Sequence, residues 1–121
     1  MTTNDLLLAH CSAQTAALDP AAVAARLPLV PGWAIENGKL CRNFAFHNYY
    51  ETLAFVNALA YVTHAQDHHP ELTVTYKNCV VSYDTHSVND GRGGRGGRGG
   101  LSHNDFICAA KASALLPGAA A

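Results

Sequence analysis

The succession of apolar patterns and turn signals along this chain predicts an α+β domain with the element order α-β-β-α-β-β-α. Three observations carry the prediction: an Asn37-Gly38 dipeptide between two strand-like runs, a long apolar helical stretch opened by Asn48 and Glu51, and a second pair of β-rich runs between Leu72 and Tyr83. A chain of 121 residues has room for one hydrophobic core but hardly for two, so residues 1–121 are expected to form a single domain.

The elements follow in order. Residues 1–17 carry no clear pattern and stand as a candidate disordered lead. Asp19-Pro20, followed by Ala21, Val23, Ala24 and Leu27, predicts a short helix with an acidic cap and proline at its first position. Pro28 and Pro31 end it. Gly32 through Ile35 and Leu40 through Phe46 read as antiparallel strands around Asn37-Gly38, the pair best suited to a type I′ turn because both central residues need positive φ. Asn48-Tyr49-Tyr50-Glu51 is a capping box that opens a helix reaching roughly to Asp67. That helix is apolar on more than one side, with Leu53, Val56 and Ala60 on one stripe and Phe55, Leu59 and Val62 on another. The surplus predicts a contact between subunits. Leu72 to Tyr76 and Cys79 to Tyr83 alternate as strands joined across Lys77-Asn78. Leu101 to Asp105 resembles a capped start to a last helix whose apolar face holds Phe106, Ile107, Ala110 and Ala114.

Composition excludes several function classes. No run approaches the ~20 apolar residues of a membrane span. The stretch from Met1 to Ala25 contains no Lys or Arg, so the basic start of a secretory signal is missing. Cys11, Cys41, Cys79 and Cys108 are scattered without a CxxC pair and read as reduced thiols in a cytoplasmic protein. Between Asn89 and Leu101 the run of glycines broken by Arg92, Arg95 and Arg98 has nothing apolar to bury, so 89–100 is expected to be a mobile loop. Its other reading is an RNA contact, which three arginines are too few to carry over a solvated loop. Without those three positive charges the formal net charge falls from −1 to −4, so the rest of the chain is no nucleic-acid surface.

The chemistry-bearing residues are His68-His69-Pro70, placed where helix gives way to strand, and Thr85-His86 at the end of the second hairpin. Imidazole is the side chain that exchanges protons near neutrality without a large pKa shift, so three histidines converging on one cavity point to acid–base catalysis. If the helix ran through position 68, His64 and His68 would be i,i+4 neighbours, a spacing that metal ligands also use. No glutamate stands between them as in HExxH and only His86 offers a third ligand, so no metal is expected. The plainer reading of His68 and His69 is a helix end, where imidazolium meets the negative pole of the dipole. That account is the weaker one for a His-His-Pro unit matched by a Thr-His pair. Asp105 likewise suits the third position of a helix whether or not a ligand is near.

Thr52-Leu53-Ala54-Phe55-Val56-Asn57, His68-His69-Pro70-Glu71-Leu72, Tyr76, Thr85-His86 and Gly100-Leu101-Ser102 with Asp105 together resemble the pterin-4a-carbinolamine dehydratase family, also known as dimerisation cofactors of a homeodomain transcription factor. The likeness extends from about Trp33 to Leu116. It implies a four-stranded antiparallel sheet with helices packed on one face, assembled as a homodimer or homotetramer. The implied reaction is dehydration of a 4a-hydroxytetrahydropterin to quinonoid dihydropterin, a step of tetrahydrobiopterin recycling that demands no cofactor. His68 and His86 would serve as acid and base, in an order the residues leave open, and His69, the third catalytic histidine, would bind and orient the pterin with partial catalytic overlap. Pro70, Thr85, Ser87 and Val88 match positions that line the family's pterin site, and Asp105 matches its downstream aspartate, counted with the substrate contacts. Two departures stand out: His64 occupies a position that is commonly acidic, and the stretch from His86 to Asp105 is longer than the family's short turn because the Gly-Arg run is inserted there. The alternative function is a non-catalytic binding partner or transcriptional coactivator on the same fold. Retention of all three histidines favours the enzyme.

Overall fold

The computed structural model describes residues 1–86 and 100–116. Four helices, α1 (Thr3–Leu8), α2 (Pro20–Arg26), α3 (Tyr49–Gln66) and α4 (His103–Ser113), accompany four strands, β1 (Ala34–Glu36), β2 (Lys39–Ala45), β3 (Glu71–Val74) and β4 (Asn78–Tyr83). The strands form one antiparallel sheet in the order β1-β2-β4-β3. This is the α+β architecture that the sequence predicts, with one helix added at the start.

Register explains how the sheet receives its helices. Leu40, Arg42 and Phe44 pair with Tyr83, Val81 and Cys79, so these six side chains share one face. All but Arg42 are buried. Arg42 stays on that face by laying its guanidinium 4.5 Å from the Phe44 ring centre and donating to Ser113 Oγ at 2.9 Å. The indole of Trp33 donates to the same hydroxyl at 2.8 Å, tying the entry to β1 to the end of α4. Asn37 and Gly38 both take positive φ, 53° and 79°, as the type I′ turn requires. The second hairpin turns earlier than expected. Val74 pairs with Cys79, and the Thr75 amide donates to Asn78 O at 2.8 Å, leaving Tyr76-Lys77 at the tip rather than Lys77-Asn78.

The chain before α2 is not a disordered lead. Thr2 and Asp5 make reciprocal side-chain caps at 3.2 and 2.8 Å, opening α1, whose Leu6 is fully buried. The reason lies in α4. From Asn104 to Ala110 every residue of α4 is buried, because α1 and α3 cover the flanks that the sheet leaves open. Lys111 Nζ donates to Leu7 O at 2.6 Å and fastens the two helices. Ala114, expected on the apolar face, is instead exposed at the helix C-cap.

Helix α3 divides its two apolar stripes. Phe55 and Leu59 lie in the core at 5% and 1% exposure, whereas Leu53 is 36% and Tyr61 83% exposed. Its end positions the site. The helix stops at Gln66, and Asp67 adopts a left-handed φ of 50°, turning the chain before His68. The helix therefore does not run through position 68, and the i,i+4 arrangement of His64 and His68 is not formed. His64 remains exposed in the last turn.

Candidate active site

Two chain reversals bring the site together. The left-handed Asp67 swings His68, His69 and Pro70 off α3, and β4 delivers Thr85 and His86 just beyond its end. Thr85 then pairs with Gly100, its amide donating to Gly100 O at 2.7 Å and its carbonyl accepting the return bond at 3.1 Å. That bridge carries the chain directly to Ser102 and the start of α4. The long stretch of sequence between Thr85 and Asp105 therefore does not separate them in space. Lys39, Asp67, His68, His69, Pro70, Glu71, Asp84, Thr85 and His86 line a cavity of about 540 Å³. His69 and His86 are more open within it, while the His68 side chain is only 12% exposed.

The chemistry concentrates behind His68. Its Nε2 lies 2.6 Å from Asp105 Oδ1, and Asp105 is completely buried. The other carboxylate oxygen accepts from the Ser102 amide at 2.8 Å and from the Thr85 hydroxyl at 2.9 Å. Because Thr85 Oγ1 donates there, it accepts from Ser102 Oγ, 2.6 Å away. A buried carboxylate is costly unless its lone pairs are met, and here both oxygens are. The imidazole also stacks on Tyr83, with 5.8 Å between ring centres and 9° between planes. Burial pushes the His68 pKa down, but the hydrogen bond and charge of Asp105 outweigh it, so the net shift is upward from 6.5.

Of the expected site residues, His68, His69, His86, Pro70 and Thr85 meet at one cavity. Asp105, expected among the substrate contacts, does not line it. Its carboxylate is used up by His68, Ser102 and Thr85, so its reach to a ligand runs through His68. The cap role that suited Asp105 by sequence and the link to His68 prove to be two ends of one carboxylate. Ser87 and Val88 lie outside the described residues, as does most of the Gly-Arg run. Tyr83 carries no motif that marks it as a site residue, although the inward alternation Cys79, Val81, Tyr83 points it at the core. Asp84 and Lys39, also in the cavity wall, carry no motif that could have marked them. A second, more apolar groove of about 580 Å³ borders α3. Its titratable members, His47 and Glu51, are 3.3 Å apart and exposed, so it offers no comparable buried acid–base pair.

The sequence profile described as pterin 4 alpha carbinolamine dehydratase matches residues 16–115. Relatives assigned by name to pterin-4-alpha-carbinolamine dehydratase include one from Xylella fastidiosa, 48% identical over 93% of this chain and 95% of its own. Another from Stenotrophomonas maltophilia is 53% identical over 81% of this chain and 78% of its own. A crystal structure described as a transcriptional coactivator/pterin dehydratase from Brucella melitensis has the same fold, with a TM-score of 0.71 at 23% identity, covering 84% of this chain and 99% of that one.

Proposed function

Because the chain belongs to the pterin 4 alpha carbinolamine dehydratase family, we propose that its histidine cavity removes water from a 4a-hydroxytetrahydropterin to give quinonoid dihydropterin. The observation that carries this reading is the buried Asp105 held 2.6 Å from His68, at the wall that His69 and His86 share. Elimination of water is redox-neutral. A base takes the N5 proton, the electron pair of that bond forms C=N, and the 4a-oxygen leaves as water with a proton from an acid.

The environments of the two histidines divide those tasks. Asp105 accepts a hydrogen bond from His68 Nε2–H, leaving Nδ1 with a lone pair, and it stabilises the imidazolium that forms when Nδ1 takes a proton. His68 is therefore assigned the base. His86, in the same cavity wall without such a partner among the described residues, is assigned the donor to the departing oxygen. His69, the adjacent lining residue, orients the pterin, with Pro70 and Thr85 beside it. Asp105 is a positioning residue.

Stopped-flow turnover of synthetic 4a-hydroxytetrahydropterin tests the reading. His68→Ala and His86→Ala should each lower the rate by about tenfold or more with the fold intact, since acid–base help is typically worth ~10²–10⁴. Near-native rates in both folded variants would remove the mechanism. In a cell this activity would serve tetrahydrobiopterin recycling in the cytoplasm.

A homo-oligomer completes the proposal. Tyr50, Leu53 and Tyr61 leave an apolar band on α3 that the rest of the described residues do not cover, and bands of this kind mark protein contacts. A non-catalytic role as a binding partner or coactivator would use the same band. It becomes the better account if the native protein binds pterin without dehydrating it.

A further inference from the structure

Residues 10–12 form a strap from the end of α3 to the start of α4. The Cys11 amide donates to Gln66 Oε1 at 2.8 Å. The Ser12 amide donates to Asn104 Oδ1 at 3.0 Å, and Asn104 Nδ2 returns a bond to Ser12 O at 2.8 Å. The Cys11 sulfur itself reaches Asn104 O at 3.6 Å. It lies 3.5 Å from Cys108 Sγ, although the two residues are 97 apart in sequence. Cys108 is fully buried on α4, one turn beyond Asp105, whereas Cys11 is only half-buried. We propose that Cys11 and Cys108 form a reversible dithiol–disulfide site, oxidised by small-molecule disulfides, which pins the N-terminal strap and α1 to α4 behind the His68–Asp105 pair.

The two sulfurs are suited to different tasks. The hydrogen bond from Cys108 lowers the Cys11 pKa against the opposing effect of burial, and the nearby His68 charge adds to the lowering. The same bond, together with burial, pushes Cys108 up. Cys11 is therefore the attacking thiolate and Cys108 the resolving thiol. Cys11 Sγ attacks one sulfur of a disulfide RSSR, the S–S bond breaks, and RS⁻ leaves and collects the proton that Cys11 lost. Cys108 then gives up its proton and attacks Cys11 Sγ, expelling the second RS⁻, which takes that proton. Two protein thiols and RSSR become one protein disulfide and two RSH, with two electrons passing from the cysteines to the oxidant. The sulfurs must approach from 3.5 Å to about 2.05 Å, a movement of about 1.5 Å. An excess of free thiol reverses the reaction, as befits a transient disulfide in a reducing compartment.

The test uses the native full-length chain and oxidised glutathione at about pH 8, followed by alkylation in denaturant, intact mass and peptide mapping. The expected result is loss of two of the four alkylatable thiols, a mass lower by two hydrogens, and a crosslink between the peptides holding Cys11 and Cys108, all reversed by dithiothreitol. Amide exchange across residues 3–12 should slow by about tenfold on oxidation. The thermal midpoint should rise by roughly 5–10 °C, since the bridge closes a long loop. Cys11→Ser should abolish the crosslink, and Cys108→Ala should leave Cys11 as a lasting glutathione adduct. Four thiols still alkylatable, a lasting adduct in the native protein, or a bridge through Cys41, Cys79 or a second chain would each overturn the proposal.

Discussion

Replacing Asp105 by asparagine changes one oxygen to an amide nitrogen in a place where both oxygens are hydrogen-bonded. In the native protein Oδ2 accepts from the Ser102 amide at 2.8 Å and the Thr85 hydroxyl at 2.9 Å, and Oδ1 faces His68 Nε2 at 2.6 Å. The Ser102 N–H has no freedom to become an acceptor, so in the Asp105→Asn protein the remaining side-chain oxygen must stay with it. The new NH₂ group then faces His68, where only an unprotonated Nε2 can receive it. The imidazole proton moves to Nδ1, and the lone pair assigned to the N5 proton is lost. A hydrogen bond to a charged group is worth about 1.5–3 kcal/mol and a neutral one about 0.5–1.5, so the exchange costs about 1–1.5 kcal/mol of the ~5–15 kcal/mol typical of a domain, and the variant should fold. Turnover should fall by roughly 10²–10³, most of what positioned acid–base groups supply, while KM changes little. Stopped-flow turnover gives the rate, and ¹⁵N chemical shifts of His68 give the tautomer. A folded variant with the proton on Nδ1 and a rate within about threefold of native would refute the assignment of His68 as base.

The raised pKa of His68 carries a signed consequence for stability. Stability from the His68–Asp105 pair is fully present below the unfolded value near 6.5 and is lost as pH rises through the higher folded value. The urea midpoint gap between native protein and His68→Gln should therefore shrink from acid to alkaline pH, and a constant gap would contradict it. On α3 the two stripes should respond differently: Leu59→Ala, in the core at 1% exposure, should cost about 2–5 kcal/mol in chemical unfolding. Leu53→Glu should keep the fold and reduce the mass found by light scattering, and a native protein that is monomeric at micromolar concentration would exclude the assembly altogether. Replacing residues 91–99 by a short turn should keep turnover within a few fold, because the Thr85–Gly100 bridge already joins β4 to α4 at the base of that segment. Loss of catalysis would give the segment a part in the site, whereas loss of a salt-sensitive affinity for single-stranded RNA would make it a nucleic-acid contact.

Features governed by neighbours in the chain were legible in the sequence. Asn37-Gly38 announces its turn because positive φ is a property of those two residues, and Asn48 announces α3 because its side chain accepts from Glu51 three positions on. The histidine doublet and Thr85-His86 could be read for the same reason, as short motifs at element ends. Tertiary structure decided the rest. The α1 segment is too short to hold as a helix alone, and it stands because α4 gives Leu6 a place to be buried. The stripes of α3 look alike in sequence, and only the position of the sheet and α4 separates the buried Leu59 from the exposed Leu53. Asp105 reads as a helix cap until the bridge at Gly100 sets its second oxygen against His68, 37 residues away. Cys11 and Cys108 are more remote still, 97 residues apart, and the segment that brings their sulfurs together is held by Gln66 and Asn104. A hydrogen bond or a burial between distant residues depends on where whole elements pack, and that is a property of the assembled layers rather than of any local run of side chains.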